Sequence, residues 1–289
     1  MKNILITGVS SGIGLATAQK FLNSNFRVFG SVRKKADATD LKQKLGENFI
    51  PLIFDVNNAQ DISDAKTTVI EMIGEQGLDC LINNAGIAVT GPILHIPIEE
   101  FHDQLEINVI GTLRVIQEFT PLLKGNEETG KQPGRIINIS SLSGLIARPL
   151  MGPYSASKFA LEAMSDALRR ELMIYGIKVI LIEPGPIKTP IWKKAAEFKN
   201  HYLDTDYANI ISHLNRQIKQ IEHSALPVDK VVELIYKTVF SRHPKARYRM
   251  APNPFLIWLV VNVFGDKMLD KMFYKQISKL AKNKVFNYK

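Results

Sequence analysis

The chain has 289 residues, 45% hydrophobic and 22% charged. That is enough for a large buried core and excludes a disordered or fibrous chain. A single cysteine, Cys80, rules out an intrachain disulfide framework and a cysteine-based metal site, and the six histidines form no H-x-x-x-H pair, so no metal is implied. The net charge of +9 is partly a feature of the tail, where seven Lys face two Asp from Gly265 onward, and it is not read as a nucleic-acid surface.

The N-terminal apolar run stops at Thr7 and passes straight into a glycine loop, unlike a secretory signal, so a cytoplasmic location is the default expectation. Asn3 to Thr7 predicts a strand. Gly8, Gly12 and Gly14 follow, and then LATAQKFLNS at helical spacing. Strand, glycine turn and helix start together suit a pyrophosphate: bare backbone allows close approach, and free N–H groups hold the negative charge. A second strand, Phe26 to Val32, runs into Arg33, Lys34 and Lys35 with no acidic residue at its end. An acidic side chain there would take the ribose hydroxyls of NAD, whereas a basic one accommodates the 2′-phosphate of NADP. NADP is therefore the preferred cofactor, with NAD as the alternative.

Further strands are predicted at Ile50 to Phe54, which leads into Asp55 and Val56, and at Cys80 to Asn83, which opens the run Asn83-Asn84-Ala85-Gly86. Asp55 is also a candidate cap for the next helix. Glu99 to Leu123 reads as one long helix with Asn108 inside it, where an amide that competes for backbone hydrogen bonds needs a reason. Arg135 to Ser141 is the fifth strand, Pro153 to Tyr175 a helix, and Ile177 to Ile182 the sixth strand, ending in EPGPIKTP. From about Ile191 to Ala225, scattered aromatic and apolar residues predict a helical lid over a substrate; a helix at Val228 to Ser241 and an edge strand at Ala246 to Met250 follow. The alternation predicts an α/β, doubly wound parallel sheet of Rossmann type, with about seven strands and helices on both faces. It forms a single domain: a cofactor and catalytic core over 1–189, a lid, helix and edge strand over 190–250, and an extension over 251–289.

The chemistry concentrates between Ser140 and Lys158, SSLSGLIARPLMGPYSASK. Tyr154 and Lys158 lie four apart and share a helix face. A phenol titrates near pH ~10, and a neighbouring ammonium is expected to lower that value toward the range useful for proton transfer. Ser141, with Gly144 three residues on, then Tyr154 and Lys158, resembles the catalytic stretch of the short-chain dehydrogenase/reductase family, and TGVSSGIG matches that family's T-G-x-x-x-G-x-G loop. The resemblance covers about Lys2 to Thr189. It implies that Gly8, Ser10, Ser11, Gly12, Ile13 and Gly14 cradle the pyrophosphate, that Arg33 meets the adenosine side, and that Asp55 and Val56 meet the adenine. It further implies that Asn83, Ala85 and Gly86 line the adenine-ribose side, and that Pro184, Gly185, Ile187 and Thr189 hold the nicotinamide carboxamide. Tyr154 would give or take the proton, Lys158 would bind the nicotinamide ribose, Ser141 would orient the substrate oxygen, and Asn108 would link Lys158 to solvent through water.

The extended C-terminal third is similar to that of the retinol and hydroxysteroid members, which implies a steroid, retinoid or other lipid-like carbonyl or alcohol as substrate; the family as a whole implies pairing of subunits into a dimer or tetramer, with which this tail could interfere. A nonenzymatic nucleotide sensor on the same fold, and an NAD-dependent dehydrogenase of a small alcohol, are the alternatives. FLIWLVVNVF, Phe255 to Phe264, is about half the ~20 apolar residues that a membrane span needs. The basic, amphipathic stretch after it could lie on an anionic membrane, cover the cleft, or pack on another subunit.

Overall fold

Single-residue alternation along short strands decides which layer each side chain joins. In β1 (Asn3–Ile6), Ile4 and Ile6 enter one core and Leu5 the other, and β4 (Cys80–Asn83) repeats this with Cys80 and Ile82 against Leu81. Both faces of each central strand are therefore apolar, the pattern of a parallel sheet covered on two sides. The computed structural model, which describes residues 1–191, 202–211, 225–251 and 253–280, has seven parallel strands in the order β3-β2-β1-β4-β5-β6-β7. The remaining strands are β2 (Arg27–Val32), β3 (Phe49–Ile53), β5 (Arg135–Ile139), β6 (Lys178–Pro184) and β7 (Arg247–Met250). All seven agree with the predicted strands to within two residues at either end.

One face carries α1 (Gly12–Leu22), α2 (Lys35–Leu45) and α7 (Val228–Phe240). α1 and α7 meet through aromatic side chains: Phe21, Phe26, Tyr236 and Phe240 make edge-on or tilted contacts with centroid separations of 4.7 to 5.7 Å. The other face carries α3 (Ala59–Ile73), α5 (Thr112–Leu123) and α6 (Gly152–Glu171), through Val69, Phe119, Leu123 and Met164. Strand order reverses between β1 and β4, which opens a crevice at the C-terminal ends of these strands. The glycine loop after β1 and the run after β4 both lie there.

Two expectations change. Asp55 does not cap the following helix; the cap is Asn58, whose side chain accepts from the N–H groups of Gln60 and Asp61, while Asp55 accepts from Asn57 in a local turn. The helix predicted over 99–123 is not uniform: α4 (Ile98–Leu105) passes into a π-helical turn, Glu106–Gly111, before α5. Of the predicted lid, 192–201 and 212–224 lie outside the described residues. The described part, Tyr202 to Ile211, joins Val89, Ile96 and Leu150 in an apolar cluster, to which Ile277 of the C-terminal helix adds.

Phe119 is fully buried between α5 and the sheet, so Phe119→Ala should cost about 3–5 kcal/mol. Asn58→Ala, which deletes an exposed cap, should cost about 1 kcal/mol. Urea unfolding midpoints of the two variants provide the check, and equal shifts would contradict this account of the core.

Candidate active site

Thr7 ends β1 with its hydroxyl accepting from the N–H groups of Asn84 (3.0 Å) and Ala85 (2.9 Å), and the Asn84 amide donates to the carbonyls of Thr7 and Gly8. These bonds draw the two strand ends so close that a Cβ on Gly8 would stand 2.9 Å from Ala85 Cα; Gly8 also has φ +70°, a conformation that favours glycine. Ser31 fixes the loop from β2 by accepting from the Gly8 N–H at 3.0 Å. α1 then begins without a side-chain cap from Ser11 and without an acidic residue in its first turn. Ser10, Ser11, Gly12 and Ile13 are not buried. A helix start with uncapped N–H groups beneath a loop that lacks a Cβ at Gly8 and Gly12 fits a diphosphate. Gly14 is buried against the Gly8 carbonyl and Asn84, so it serves the packing of this turn rather than its open surface.

Thr189 reaches the same loop, 3.4 Å from where a Cβ of Gly12 would stand. Its turn is pinned on both sides: the Gly185 N–H donates to Met250 of β7 at 2.7 Å, and Ile187 bridges to Leu226. Pro184 and Ile187 are buried. At the end of β2, Arg33 stands 4.0 Å from Asp55, and both are substantially exposed. Such a pair is weak, so the guanidinium is open to another anion. Val56 is buried on Gly111 of the π turn, and the Asn83 amide donates into the sheet to Asn138 at 2.8 Å. These two side chains shape the crevice from beneath.

Helix α6 starts at Gly152 with Pro at its second position, which suits a helix start. Its first two turns bury Tyr154 and Lys158 on one face, with the ammonium 5.7 Å from the ring centroid. The ammonium donates to the Ile139 carbonyl at the end of β5, 2.8 Å away. Burial lowers the Lys158 pKa to about 8, against an opposing pull from the Glu162 carboxylate one turn below. For Tyr154 the structure reverses the expected direction. Burial raises its pKa, and the opposing influence is a hydrogen bond with the Ser141 side chain rather than the ammonium. Tyr154 is therefore held as a neutral phenol, the form that can donate a proton. Ser141 opens a short 3₁₀ turn, Leu142–Gly144, and its Oγ accepts from the Ser143 N–H at 3.1 Å.

Asn108 is buried in the π turn. Its Oδ1 accepts from the Ile87 N–H (2.9 Å), and its amide donates to the Ile87 carbonyl and to Ser157 Oγ (3.1 Å). The helix irregularity thus buys a clamp between the Gly86 strand end and α6, and Gly86 lies against Asn108 Oδ1. Two partners escaped sequence reasoning. Gln104, fully buried, accepts from Val89 N–H at 2.6 Å and donates to Ile87 and to Ser157. Ser157 donates to the Tyr154 carbonyl at 2.7 Å. A polar residue on an otherwise apolar helix stripe was the available signal for Gln104; Ser157 carried none. Farther out, buried Glu183 binds Arg249 at 2.9 Å, and Arg247 joins Glu162, Asp166 and Glu183, so β7 is tied to α6 behind the site.

The geometry can be set beside known proteins. Residues 2–200 match the family model described as short chain dehydrogenase. The chain is 46% identical over 281 residues, 97% of itself and 99% of the relative, to an NADPH-dependent 3-dehydrocapnine reductase of Ornithobacterium rhinotracheale. It is 28% identical to mouse retinol dehydrogenase 16, covering 94% of this chain and 88% of that one. Among solved structures, an actinorhodin polyketide ketoreductase with NADPH superimposes with TM-score 0.69 at 28% identity, over 86% of this chain and 94% of that one. A short-chain dehydrogenase from Streptomyces avermitilis, at 23% identity, shares the fold with TM-score 0.73 over 98% of each chain. With the Tyr154–Lys158 pair on α6 and the glycine cradle after β1 both in place, and the family model matching more than half its length, this chain belongs to the short-chain dehydrogenase family of oxidoreductases.

Proposed function

We propose that this protein reduces a hydrophobic ketone to the secondary alcohol with NADPH. The observation that carries this reading is the pairing of a buried neutral phenol, Tyr154, with the buried ammonium of Lys158 beside Ser141. Supporting it are the open Arg33 guanidinium, suited to a 2′-phosphate, and the NADPH-dependent 3-dehydrocapnine reductase at 46% identity. That relative's name makes the same compound, or a similar 3-dehydro compound, the specific substrate proposed, in preference to a steroid or retinoid. The apolar cluster of Val89, Ile96, Leu150 and Tyr202 next to the Ala88–Tyr154 contact suits a hydrocarbon portion.

NADPH, when bound, supplies the hydride. The glycine loop and the first turn of α1 would hold its diphosphate, Arg33 its 2′-phosphate, and the turn from Pro184 to Thr189 its carboxamide. Ser141 orients the ketone oxygen, Tyr154 donates the proton to that oxygen, and Lys158 steadies the phenolate that remains. Asn108, with Gln104 and Ser157, keeps α6 in register with the strand ends, and by family resemblance also links Lys158 to solvent. Pairing of subunits belongs to the same reading.

Tyr154→Phe should leave NADPH binding nearly intact while lowering kcat by at least about a hundredfold; retention of most turnover in a ketone-reduction assay would remove Tyr154 as the acid. Arg33→Asp should weaken NADPH relative to NADH by about tenfold or more, and an unchanged ratio of kcat/KM for the two nucleotides would refute the role of Arg33. Because the Lys158 ammonium is present below its lowered pKa of about 8 and lost above it, kcat/KM for the nucleotide should fall as pH rises through that value. Glu162→Gln removes a charge that favours the ammonium, so it should move this limb to lower pH; a profile identical to that of the native enzyme would exclude the coupling.

A further inference from the structure

Beyond β7 the chain exposes apolar surface that the fold does not use. Helix α8 (Pro254–Asn262) has Val260 as its one buried residue, while Phe255 is 67% and Trp258 50% exposed, and Leu256, Val263, Met268 and Met272 are exposed as well. Asn253 caps the helix through the Leu256 N–H, and Phe255 stacks on Trp258 at 6.3 Å, so the helix presents an exposed aromatic pair. Helix α9 (Asp266–Leu280) follows, with Lys267, Lys271, Lys275 and Lys279 all exposed along it. Its Ile277 packs on the apolar cluster beside the site, and β7, from which α8 departs, is bonded through Met250 to Gly185. The bare patch thus follows the C-terminal end of β7, at the end of the sheet where the candidate site lies.

We propose that α8 and the lysine face of α9 dock this protein onto the surface of an anionic lipid bilayer. Phe255, Leu256 and Trp258 would enter the boundary between head groups and acyl chains, and the lysines would meet lipid phosphates. Charge decides between occupants. From Gly265 on, seven lysines stand against two aspartates, so a second copy would bring like charge to like charge, whereas an anionic surface complements it. At nine residues α8 lies on the membrane rather than crossing it, and no helix among the described residues is long and apolar enough to span. An apolar substrate could then reach the cleft from the lipid phase, a step that rests on the proposed function; the docking itself does not.

Flotation of the full chain with vesicles, without nucleotide or substrate, tests docking separately from catalysis. The protein should float with phosphatidylcholine vesicles containing phosphatidylglycerol, and not with phosphatidylcholine alone. Leu256→Glu/Trp258→Glu and Lys267→Glu/Lys271→Glu should each reduce the bound fraction about tenfold, with thermal melting and reduction of a water-soluble ketone unchanged. Absence of flotation with anionic vesicles, or equal flotation of native and variant proteins, would overturn the proposal. So would a dimer in sedimentation analysis that Leu256→Glu/Trp258→Glu dissociates, since a second copy would then cover the patch.

Discussion

A buried ammonium on a short tether is the constraint around which the site is arranged. Lys158 is 7% exposed, and a cation so far from water needs compensation close by. It finds the Ile139 carbonyl at the end of β5, the face of the Tyr154 ring, and the Glu162 carboxylate one turn down the same helix. The last two come from α6 itself, but the first requires α6 to sit at one height and rotation over the sheet. Ser157 supplies that by joining α6 to Gln104 and Asn108, and Arg247 supplies it again from β7 through Glu162 and Asp166.

The same reasoning explains why a strand end and a helix irregularity matter to the site. A regular helix over 98–123 would point Asn108 elsewhere, and the Ile87 backbone would lose both of its side-chain partners from this position. The π turn accepts poorer helical hydrogen bonding to gain three side-chain bonds across the crevice. At the nucleotide end, the close approach of Gly8 to Ala85 performs the equivalent task by hydrogen bonds to the Thr7 hydroxyl and from the Asn84 amide, which leave the loop's outer surface and the first turn of α1 uncommitted.

Desolvation, not a neighbouring charge, dominates the electrostatics of the pair. Both Tyr154 and Lys158 are shifted toward their neutral forms by burial. For the reduction proposed above this would be coherent: a phenol held neutral would keep its proton until a ketone oxygen is presented, and an ammonium retained below a pH of about 8 would steady the phenolate. A view based on the ammonium alone misses the larger effect, because it treats the pair as if it stood in water.

The sequence by itself determined the layered α/β architecture, since strand runs such as Asn3 to Thr7 and Arg135 to Ser141 are apolar on both faces and alternate with helical spacing. It also determined the identities of the pair, because Tyr154 and Lys158 are local: four residues on one helix suffice to bring them together. Only the tertiary structure decided what lies between elements distant in the chain. Gln104 and Ser157 meet across 53 positions, Arg247 reaches Glu162 across 85, and Asn58 rather than Asp55 caps α3. The depth of burial, and with it the direction of the Tyr154 shift, belongs to the same class, because desolvation is set by everything that covers a side chain, including elements distant in sequence such as the segment of Ala88.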